Sequence, residues 1–367
     1  MEKSGCTVNR VLMTADAVGG VWTYVLELIG QYKRQNIEVA LAVMGPSPDK
    51  AQREVLSAFN NVELFEGGYK LEWMENCWEE VEEASDWLLD LETLIHPDII
   101  HLNGYVHAAL PWQAPVLVVG HSCVSSWFEH VKKSSIPQSW EKYRCKVKEG
   151  LGCADYVVAP SDFMLGCLKK HYGLSEKSSV IYNGRSAGGF YPGIKDETIF
   201  TAGRLWDDAK NIKSLLSISK ELPWPVHVAG EGEQVCANVK YLGKLSGKEI
   251  EAEMNCASLF VMPALYDPFG LSVLEAGLSG CVLVLGDIPS YREIWGESAI
   301  YVPSEDSPKL RDTILDLIKN RELIVEYSKK SMAKAFKYTS EKTACQYIDL
   351  YCKLMSKVKS ETCGRGL

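Results

Sequence analysis

Short apolar runs rich in β-branched residues alternate with longer stretches of helical pattern along this 367-residue chain. Each run has the length of a buried strand, and the stretches between them carry apolar residues at helical spacing. Strands that alternate with helices in this way form parallel sheets covered by helices on both faces. The alternation therefore predicts an α/β fold built on parallel sheets.

The alternation has two halves. Strands of the first half are predicted at Val11–Thr14, Val39–Met44, Val62–Phe65, Ile99–Leu102, Val116–Gly120, Tyr156–Ala159 and Val180–Tyr182. Helices are predicted at Val21–Gln35, at Ser161–Tyr172 and over the acidic stretch 73–95, whose charges are typical of a solvated face. After a turn-rich break at 183–197, strands are predicted at 198–203, 226–230, 239–243, 259–263, 281–286 and 299–303, followed by helices over 308–358.

The length and the break in composition together predict two domains. We expect an N-terminal Rossmann-like domain at 1–186, a linker at 187–197 and a C-terminal Rossmann-like domain at 198–340. Ligands of open parallel sheets bind outside the carboxyl ends of the strands. The cleft between two such domains facing one another is therefore the expected site.

Composition and charge exclude several classes of protein. The net charge of −9 argues against nucleic acid as the main partner. No apolar run approaches the roughly 18 residues that span a bilayer, and the first ten residues lack the apolar core of a signal peptide. The 12 cysteines are scattered and form no C-x-x-C pair, which indicates reduced thiols. We expect a soluble cytoplasmic protein.

Two stretches are suited to a phosphorylated ligand. Gly19 and Gly20 follow the first strand and open a helix, where backbone amides can approach an anion; the G-x-G-x-x-G spacing of an NAD site is absent. Arg204 and Lys210 follow the first strand of the second half, where a guanidinium and an ammonium can bind phosphate. An ordinary strand–helix turn and two solvated surface cations are the structural alternatives.

Two carboxylates stand between apolar runs in "ALYDPFGLSVLEAG", residues 264–277. A helix is predicted to begin near Gly270 or Leu271, so that its first amides attract negative charge. Glu275 lies about one turn inside that helix, where a carboxylate can accept hydrogen bonds from a vicinal diol such as ribose. Asp267 precedes the turn. As structural alternatives, Asp267 would cap the helix and Glu275 would be an exposed helix residue.

Polar side chains also follow two strands of the first half. His121 ends one strand, and Asn103 and His107 follow another, at the sheet edge where ligands bind. A lone histidine in a loop is usually structural, so these three residues are weaker candidates on their own.

Taken together, these stretches resemble the GT-B fold glycosyltransferases of family 4, which are retaining and depend on nucleotide sugars. "AGRLWDDAKNI" is similar to the G-R-L-x(4)-K pattern of that family, "VAGEGE" to its glycine turn, and Asp267 with Glu275 to its E-x(7)-E block. "GGVWTYVLEL", "VVGHS", "ADYVVAPSDFM" and "VIYNG" match more loosely in the first domain. The resemblance implies two Rossmann-like domains facing across a cleft, with a C-terminal helix at 341–367 that crosses back to the first domain.

The resemblance also implies roles for single residues, several of them in catalysis. Arg204 and Lys210 would bind the donor diphosphate, Glu275 the ribose, Asp267 the donor sugar, and His121 would lie beside the transferred sugar. The substrate-binding positions implied in addition are Gly19, Gly20, Asn103, Leu242, Phe269, Gly270, Leu271 and Ser272. The base would be recognised largely by backbone near Tyr241–Leu245.

Two positions depart from the family pattern. The first acidic residue of the block is usually glutamate, and here it is Asp267, which is one methylene shorter and has less reach toward the sugar. The usual "P-N-G-V-D" near the hinge is "YNGRS" here, so that Arg185 and Ser186 replace its last two residues. The first departure bears on the identity of the donor sugar.

The implied activity is same-face transfer of a hexose, with UDP-glucose as the expected donor and no metal or other cofactor. The acceptor would be a sugar, a glycolipid or a polysaccharide. The aromatic and basic stretch 127–148 would be either an interfacial patch for a lipid-linked acceptor or an acceptor-side loop with a solvated helix. A GT-B nucleotide-sugar epimerase and a non-catalytic sugar-nucleotide-binding protein are the alternative functions.

Overall fold

The structure is a computed structural model that describes residues 7–174, 176–232 and 236–363, with side chains described as far as residue 357. The chain divides into two compact units. Unit 1 consists of Met1–Ser126, Ser135–Gly184 and Ser340–Leu367, and unit 2 consists of Trp127–Ser134 and Arg185–Thr339. The predictions made for residues 1–6, for Glu233 in the glycine turn and for the tail at 364–367 lie outside the described residues.

Unit 1 is built on a sheet of seven parallel strands in the order β3-β2-β1-β4-β5-β6-β7. Its strands are β1 (Arg10–Asp16), β2 (Glu38–Met44), β3 (Val62–Glu66), β4 (Ile99–Leu102), β5 (Val116–Val119), β6 (Tyr156–Ala159) and β7 (Ser178–Val180). Its first helices are α1 (Gly20–Lys33), α2 (Lys50–Ser57), α3 (Trp78–Ile95), α4 (Val124–Trp127), α5 (Glu141–Cys153) and α6 (Asp162–Tyr172). The central strands are buried on both faces, as continuous apolar runs predict.

Unit 2 is built on a second parallel sheet, of six strands in the order β10-β9-β8-β11-β12-β13. Its strands are β8 (Asp196–Ala202), β9 (Val226–Ala229), β10 (Val239–Gly243), β11 (Ala257–Met262), β12 (Val282–Gly286) and β13 (Ile300–Val302). Its helices are α7 (Ile212–Ile218), α8 (Gly247–Cys256), α9 (Leu271–Leu278), α10 (Pro289–Trp295), α11 (Ser307–Lys319) and α12 (Arg321–Ala335). The last helix of the chain, α13 (Ser340–Cys363), belongs to unit 1.

The two sheets confirm the predicted α/β fold with two Rossmann-like domains, since both have the strand order that reverses at a switch point. Most predicted strands agree with the observed ones within two residues. The last strand of unit 1 lies two residues earlier than predicted at both of its ends, since β7 spans Ser178–Val180 and the predicted strand was 180–182. The helix predicted from residue 73 begins only at Trp78, so Met74 and Cys77 lie in the loop before it.

Residues 187–197, which were predicted as the linker, pack onto unit 2. Lys195 Nζ donates hydrogen bonds to the carbonyls of Met254 and Ser279, at 3.1 and 2.7 Å. Asn255 donates to the carbonyl of Gly189 at 2.7 Å. The segment 187–197 is therefore part of unit 2. No helix in the described part of the chain is both long and apolar enough to cross a membrane.

Helix α13 is attached to the sheet of unit 1 through a buried polar cluster. The imidazole of His101, on β4, lies between the phenols of Tyr24 on α1 and Tyr351 on α13, and is hydrogen-bonded to both. Tyr351 also exchanges a hydrogen bond of 2.9 Å with Tyr32. Burial lowers the pKa of His101 to about 3, so the ring is neutral in the folded protein.

We expect this buried imidazole to make unit 1 sensitive to acid. An unfolded histidine has a pKa of about 6.5, so below that pH the unfolded state binds a proton that the folded state does not. This contribution to stability is complete above pH 6.5 and is lost as the pH falls toward 3, by about 1.4 kcal/mol per pH unit. In His101→Gln the free energy of unfolding should fall less steeply between pH 6.5 and 4.5, measured by urea unfolding followed by circular dichroism.

Tyr32→Phe is the matched control for this prediction. It removes a hydroxyl from the same cluster but no imidazole, so it should lower stability while its pH dependence stays parallel to that of the wild type. An unchanged slope in His101→Gln would show that His101 is not the group that becomes charged on unfolding.

Candidate functional site

Arg204 projects from the loop that follows β8 in unit 2. Its Nη2 donates to Asp207 Oδ2 at 2.6 Å, and the guanidinium lies 5.2 Å from the centre of the Trp206 ring. Asp207 is buried, and its other oxygen accepts the backbone N–H of Ala209 at 3.0 Å. Because a guanidinium has five N–H donors, this pairing holds the arginine in place and leaves donors for an anion.

Lys210, Asp267 and Tyr291 form one buried cluster. Lys210 Nζ lies 2.7 Å from Asp267 Oδ2, and the Tyr291 hydroxyl donates to the same oxygen at 3.0 Å. The hydroxyl of Ser290 donates to the carbonyl of Asp267. Burial and the adjacent Asp267 carboxylate raise the pKa of Tyr291 well above its usual value, so the phenol remains a donor.

This cluster fixes the carboxylate that was expected to bind the donor sugar. Asp267 is only 6% exposed, and Lys210 and Tyr291 both bind its Oδ2. Its Oδ1 accepts the amide of Phe269 at 3.4 Å, which is a long hydrogen bond. A carboxylate oxygen has two lone pairs, so Oδ1 retains capacity to accept a hydroxyl.

Helix α9 begins at Leu271, as the sequence predicts, after Gly270 with φ of +83°. A Cβ at Gly270 would lie 2.9 Å from the Tyr291 ring, and the backbone conformation would be strained for any other residue. The amides of Leu271 and Ser272 belong to the first turn, where N–H groups have no carbonyl partner within the helix. The turn therefore places donors beside the Asp267 cluster.

Glu275 lies on the second turn of α9 and is paired with Arg185. Arg185 Nε donates to Glu275 Oε1 at 2.8 Å, and both side chains are largely buried, at 19% and 12% exposed. The guanidinium lies 5.1 Å from the centre of the Phe190 ring. The sequence identified Arg185 only as a departure from the family pattern and gave no indication of this contact.

In unit 1, Asn103 connects His121 to the end of β1. Its Nδ2 donates to the carbonyl of Thr14 at 2.7 Å, and its backbone amide is bound by the Thr14 hydroxyl at 2.9 Å. Its Oδ1 lies 2.7 Å from His121 Nε2. Tyr24 packs against the histidine ring, with centroids 4.7 Å apart. Asn103, predicted as a substrate-binding residue, thus contacts the predicted catalytic histidine directly.

These contacts determine where the proton of His121 resides. Burial lowers the pKa of His121 to about 4, so the ring is neutral at physiological pH. The carbonyl of Thr14 can only accept, so the amide nitrogen of Asn103 must face it and Oδ1 must face His121. Oδ1 is also only an acceptor, and Nε2 therefore carries the proton. Nδ1 is left as the acceptor of the neutral ring.

The remaining predicted residues lie in a loop, in a strand and in the core. Gly19, with φ of +79°, precedes the first residue of α1, Gly20, and Asp16 caps this loop through the amide of Val18 at 2.8 Å. Leu242 lies partly buried in β10. His107 is buried and bonded to the Val81 carbonyl, which indicates a packing role. Among the described residues, no three His, Cys, Asp or Glu side chains are grouped to hold a metal ion.

The aromatic side chains of the stretch 127–148 are buried or partly buried, whereas several of its lysines are exposed. Tyr143 is buried in the core of unit 1, and Trp127, Phe128 and Trp140 are partly buried. Lys132 lies over the Trp127 ring and pairs with Asp208 at 2.7 Å.

Sequence reasoning missed Asp207, Tyr291 and Arg185 as parts of the site. Asp207 had a detectable signal, since it stands three residues after the arginine that it binds. Tyr291 is 24 residues from Asp267, and Arg185 is 90 residues from Glu275, so neither contact follows from local spacing.

Two family models match the chain. Residues 18–187 match the model described as Glycosyltransferase Family 4, and residues 196–320 match the model described as Glycosyl transferases group 1. Together they span most of both units.

Single proteins and structures agree with these models. The chain is 25% identical over 194 residues to the O-antigen chain mannosyltransferase RfbU of Salmonella typhimurium, a match that covers 48% of this chain and about half, 54%, of that relative. The sucrose-phosphate synthase of Thermosynechococcus elongatus has a TM-score of 0.80 at 17% identity and covers 95% of this chain and 100% of that one. Anabaena Alr3699/HepE in complex with UDP and glucose has a TM-score of 0.75 at 16% identity, with 93% and 98% covered. At these identities the two structures show a common fold.

We expect Asn103→Asp to raise the pKa of the His121 imidazole. The new carboxylate would face Nε2 and stabilise the imidazolium, raising the pKa by more than about 1 pH unit from its value of about 4. NMR titration of ¹⁵N-labelled histidines, assigned with a His121→Gln variant, measures this change and reports which ring nitrogen is protonated in the wild type.

The control is Asn36→Asp, which adds the same charge at an exposed residue of unit 1 and should leave the His121 resonances unchanged. A proton on Nδ1 in the wild type would contradict the arrangement deduced from Thr14 and Asn103.

Proposed function

We propose that the chain, which belongs to the GT-B glycosyltransferases of the family 4 type, transfers a hexose from a nucleoside-diphosphate sugar to a carbohydrate acceptor with retention of configuration. The observation that carries this proposal is the cluster in unit 2, where Lys210 and Asp267 meet beside the start of α9. The named relative RfbU, an O-antigen chain mannosyltransferase, supports the same class of reaction.

The donor diphosphate is assigned to Arg204, Lys210 and the first amides of α9. Glycosyl transfer develops positive charge on the sugar while negative charge grows on the departing diphosphate, so fixed positive charge beside the phosphates stabilises the transition state. Both cations are held by aspartates, Asp207 and Asp267. Because the side chains do not have to be ordered during the reaction, little reorganisation accompanies the transfer.

The ribose is assigned to Glu275 and the sugar hydroxyls to Asp267 and His121. Glu275 is a carboxylate near the start of a helix, which suits a vicinal diol. His121 is neutral and presents Nδ1 as an acceptor, so it binds a hydroxyl without adding charge beside the oxocarbenium-like sugar. The base is assigned to backbone near Leu242.

We propose UDP-glucose as the donor. Anabaena Alr3699/HepE, one structural neighbour, is in complex with UDP and glucose, whereas the relative RfbU is a mannosyltransferase. The side chain of Asp267 is one methylene shorter than the usual glutamate and is bound by Lys210 and Tyr291. Its carboxylate therefore reaches less far toward the sugar. A direct comparison of donors is therefore required.

The transfer is proposed to proceed without a metal and on one face of the sugar. The sequence has no D-x-D motif, and no carboxylate stands where a covalent nucleophile would be expected. The departing phosphate would accept the proton of the acceptor hydroxyl as the new glycosidic bond forms. The acceptor is proposed to be a sugar, a glycolipid or a polysaccharide. The compartment is proposed to be the cytoplasm, because the ten cysteines whose side chains the structure describes are all free thiols.

A donor screen tests this function. UDP-glucose, UDP-galactose, GDP-glucose and GDP-mannose are incubated with the protein, with and without oligosaccharide or lipid-linked acceptors, and release of nucleoside diphosphate is measured. We expect release from one hexose donor, increased by acceptor. Conversion of the donor to an epimer without transfer would favour an epimerase, and tight binding without any release would favour a non-catalytic binding protein.

We expect Arg204→Ala to lower kcat about 10²–10³-fold, because it removes a donor aimed at the charge that develops on the diphosphate. The KM for the acceptor should change little. Initial rates of nucleoside-diphosphate release with the donor selected by the screen measure both constants.

Arg311→Ala provides the comparison, since Arg311 lies on α11 and pairs with Glu221 and Asp312. Its turnover should match that of the wild type. Near-normal turnover in Arg204→Ala would refute the diphosphate assignment.

A further inference from the structure

Arg185 stands where the chain enters unit 2, immediately after Gly184. Its backbone N–H donates to the carbonyl of Tyr338 at 3.1 Å, close to the point where the chain leaves the unit at Thr339. Its side chain reaches Glu275 of α9 across the ring of Phe190. One residue thus links the entry and exit of unit 2 to the carboxylate assigned to the donor ribose.

The burial of this pair makes the arginine important for the state of the carboxylate. The Glu275 side chain is only 12% exposed, and a carboxylate withdrawn from water is costly unless a positive charge compensates it. Arginine remains protonated at every pH that the protein encounters. The 2.8 Å contact from Nε also directs the orientation of the carboxylate, because a charge-assisted hydrogen bond is strong and directional.

We propose that Arg185 is a positioning residue for donor recognition, which holds Glu275 in the orientation in which its carboxylate accepts the hydroxyls of the donor ribose. The proposal rests on the proposed function, in which Glu275 binds that ribose. The proposal thereby assigns a role to Arg185, one of the two residues that differ from the "P-N-G-V-D" pattern of the family.

The test compares two ligands that differ only in the ribose hydroxyls. Binding of UDP and of 2′,3′-dideoxy-UDP to the 367-residue chain is measured by isothermal titration calorimetry at neutral pH. Hydrogen bonds to a charged carboxylate correspond to a preference of about 10–100-fold for UDP in the wild type. If the wild type binds GDP instead of UDP, GDP and 2′,3′-dideoxy-GDP replace the two probes.

In Arg185→Met we expect this preference to fall at least about fivefold, because the carboxylate loses the hydrogen bond that orients it toward the hydroxyls. Taking the ratio of the two ligands removes any general loss of affinity. Arg185→Lys, which retains a charge and a hydrogen-bond donor but not the planar fork, should keep more of the preference than Arg185→Met does.

Arg311→Met is the matched control, because it removes an ion-paired arginine elsewhere in unit 2, and it should keep the wild-type preference. Arg185→Gln carries the same expectation as Arg185→Met if the latter does not fold. Equal loss of affinity for both ligands in Arg185→Met, with the preference unchanged, would overturn the proposal and leave the proposed function standing. A wild type that binds neither nucleoside diphosphate would overturn the proposed function, and this inference with it.

Discussion

The buried ion pair between Lys210 and Asp267 is the interaction on which the candidate site of unit 2 depends. Either charge alone at this depth would be strongly unfavourable, and the pair is stable because Tyr291 adds a hydrogen bond to the same carboxylate oxygen. Gly270 is needed because a side chain there would meet the Tyr291 ring. The start of α9, and with it the position of Glu275, is thereby fixed by the packing around Asp267.

The ion pair between Lys210 and Asp267 also indicates what an aspartate does at position 267, where the family pattern has glutamate. A longer side chain would project farther from Lys210 and Tyr291 toward the sugar subsite. The shorter one stays within 2.7 and 3.0 Å of these two partners and is almost completely covered. The carboxylate therefore acts in the structure first as the counter-ion of Lys210, and only its Oδ1 is in a position to serve a hydroxyl.

Much of the fold could be predicted from the sequence, because a parallel sheet buries its strands on both faces and leaves continuous apolar runs in the sequence. Such runs located β1, β4, β11 and β12 to within two residues. The short β7 was displaced because its three residues are only partly buried and have no apolar run. The start of α9 was also predictable, since a Pro-Phe-Gly turn ends the preceding segment.

The partners of the site residues were much harder to predict. The contact between Arg185 and Glu275 joins residues 90 apart, and that between Tyr291 and Asp267 joins residues 24 apart. Spacing along the chain identifies residue types suited to a ligand, but these contacts result from how helices α9 and α10 and the segment after Gly184 pack together. The sequence indicated which side chains are suited to a ligand, and packing determines their partners and orientation.

In both units, each candidate ligand-binding side chain is held by a neighbouring polar side chain. Asp207 fixes Arg204, Asp267 fixes Lys210, and in unit 1 Asn103 fixes His121. The histidine shows the consequence most directly. Since Asn103 is itself oriented by the Thr14 carbonyl, the neutral ring has one protonated nitrogen and one acceptor, and it can recognise a hydroxyl without becoming charged. The proposed function puts His121 beside the transferred sugar, where a cation would oppose the positive charge that develops, so a neutral imidazole suits that role better than an imidazolium does.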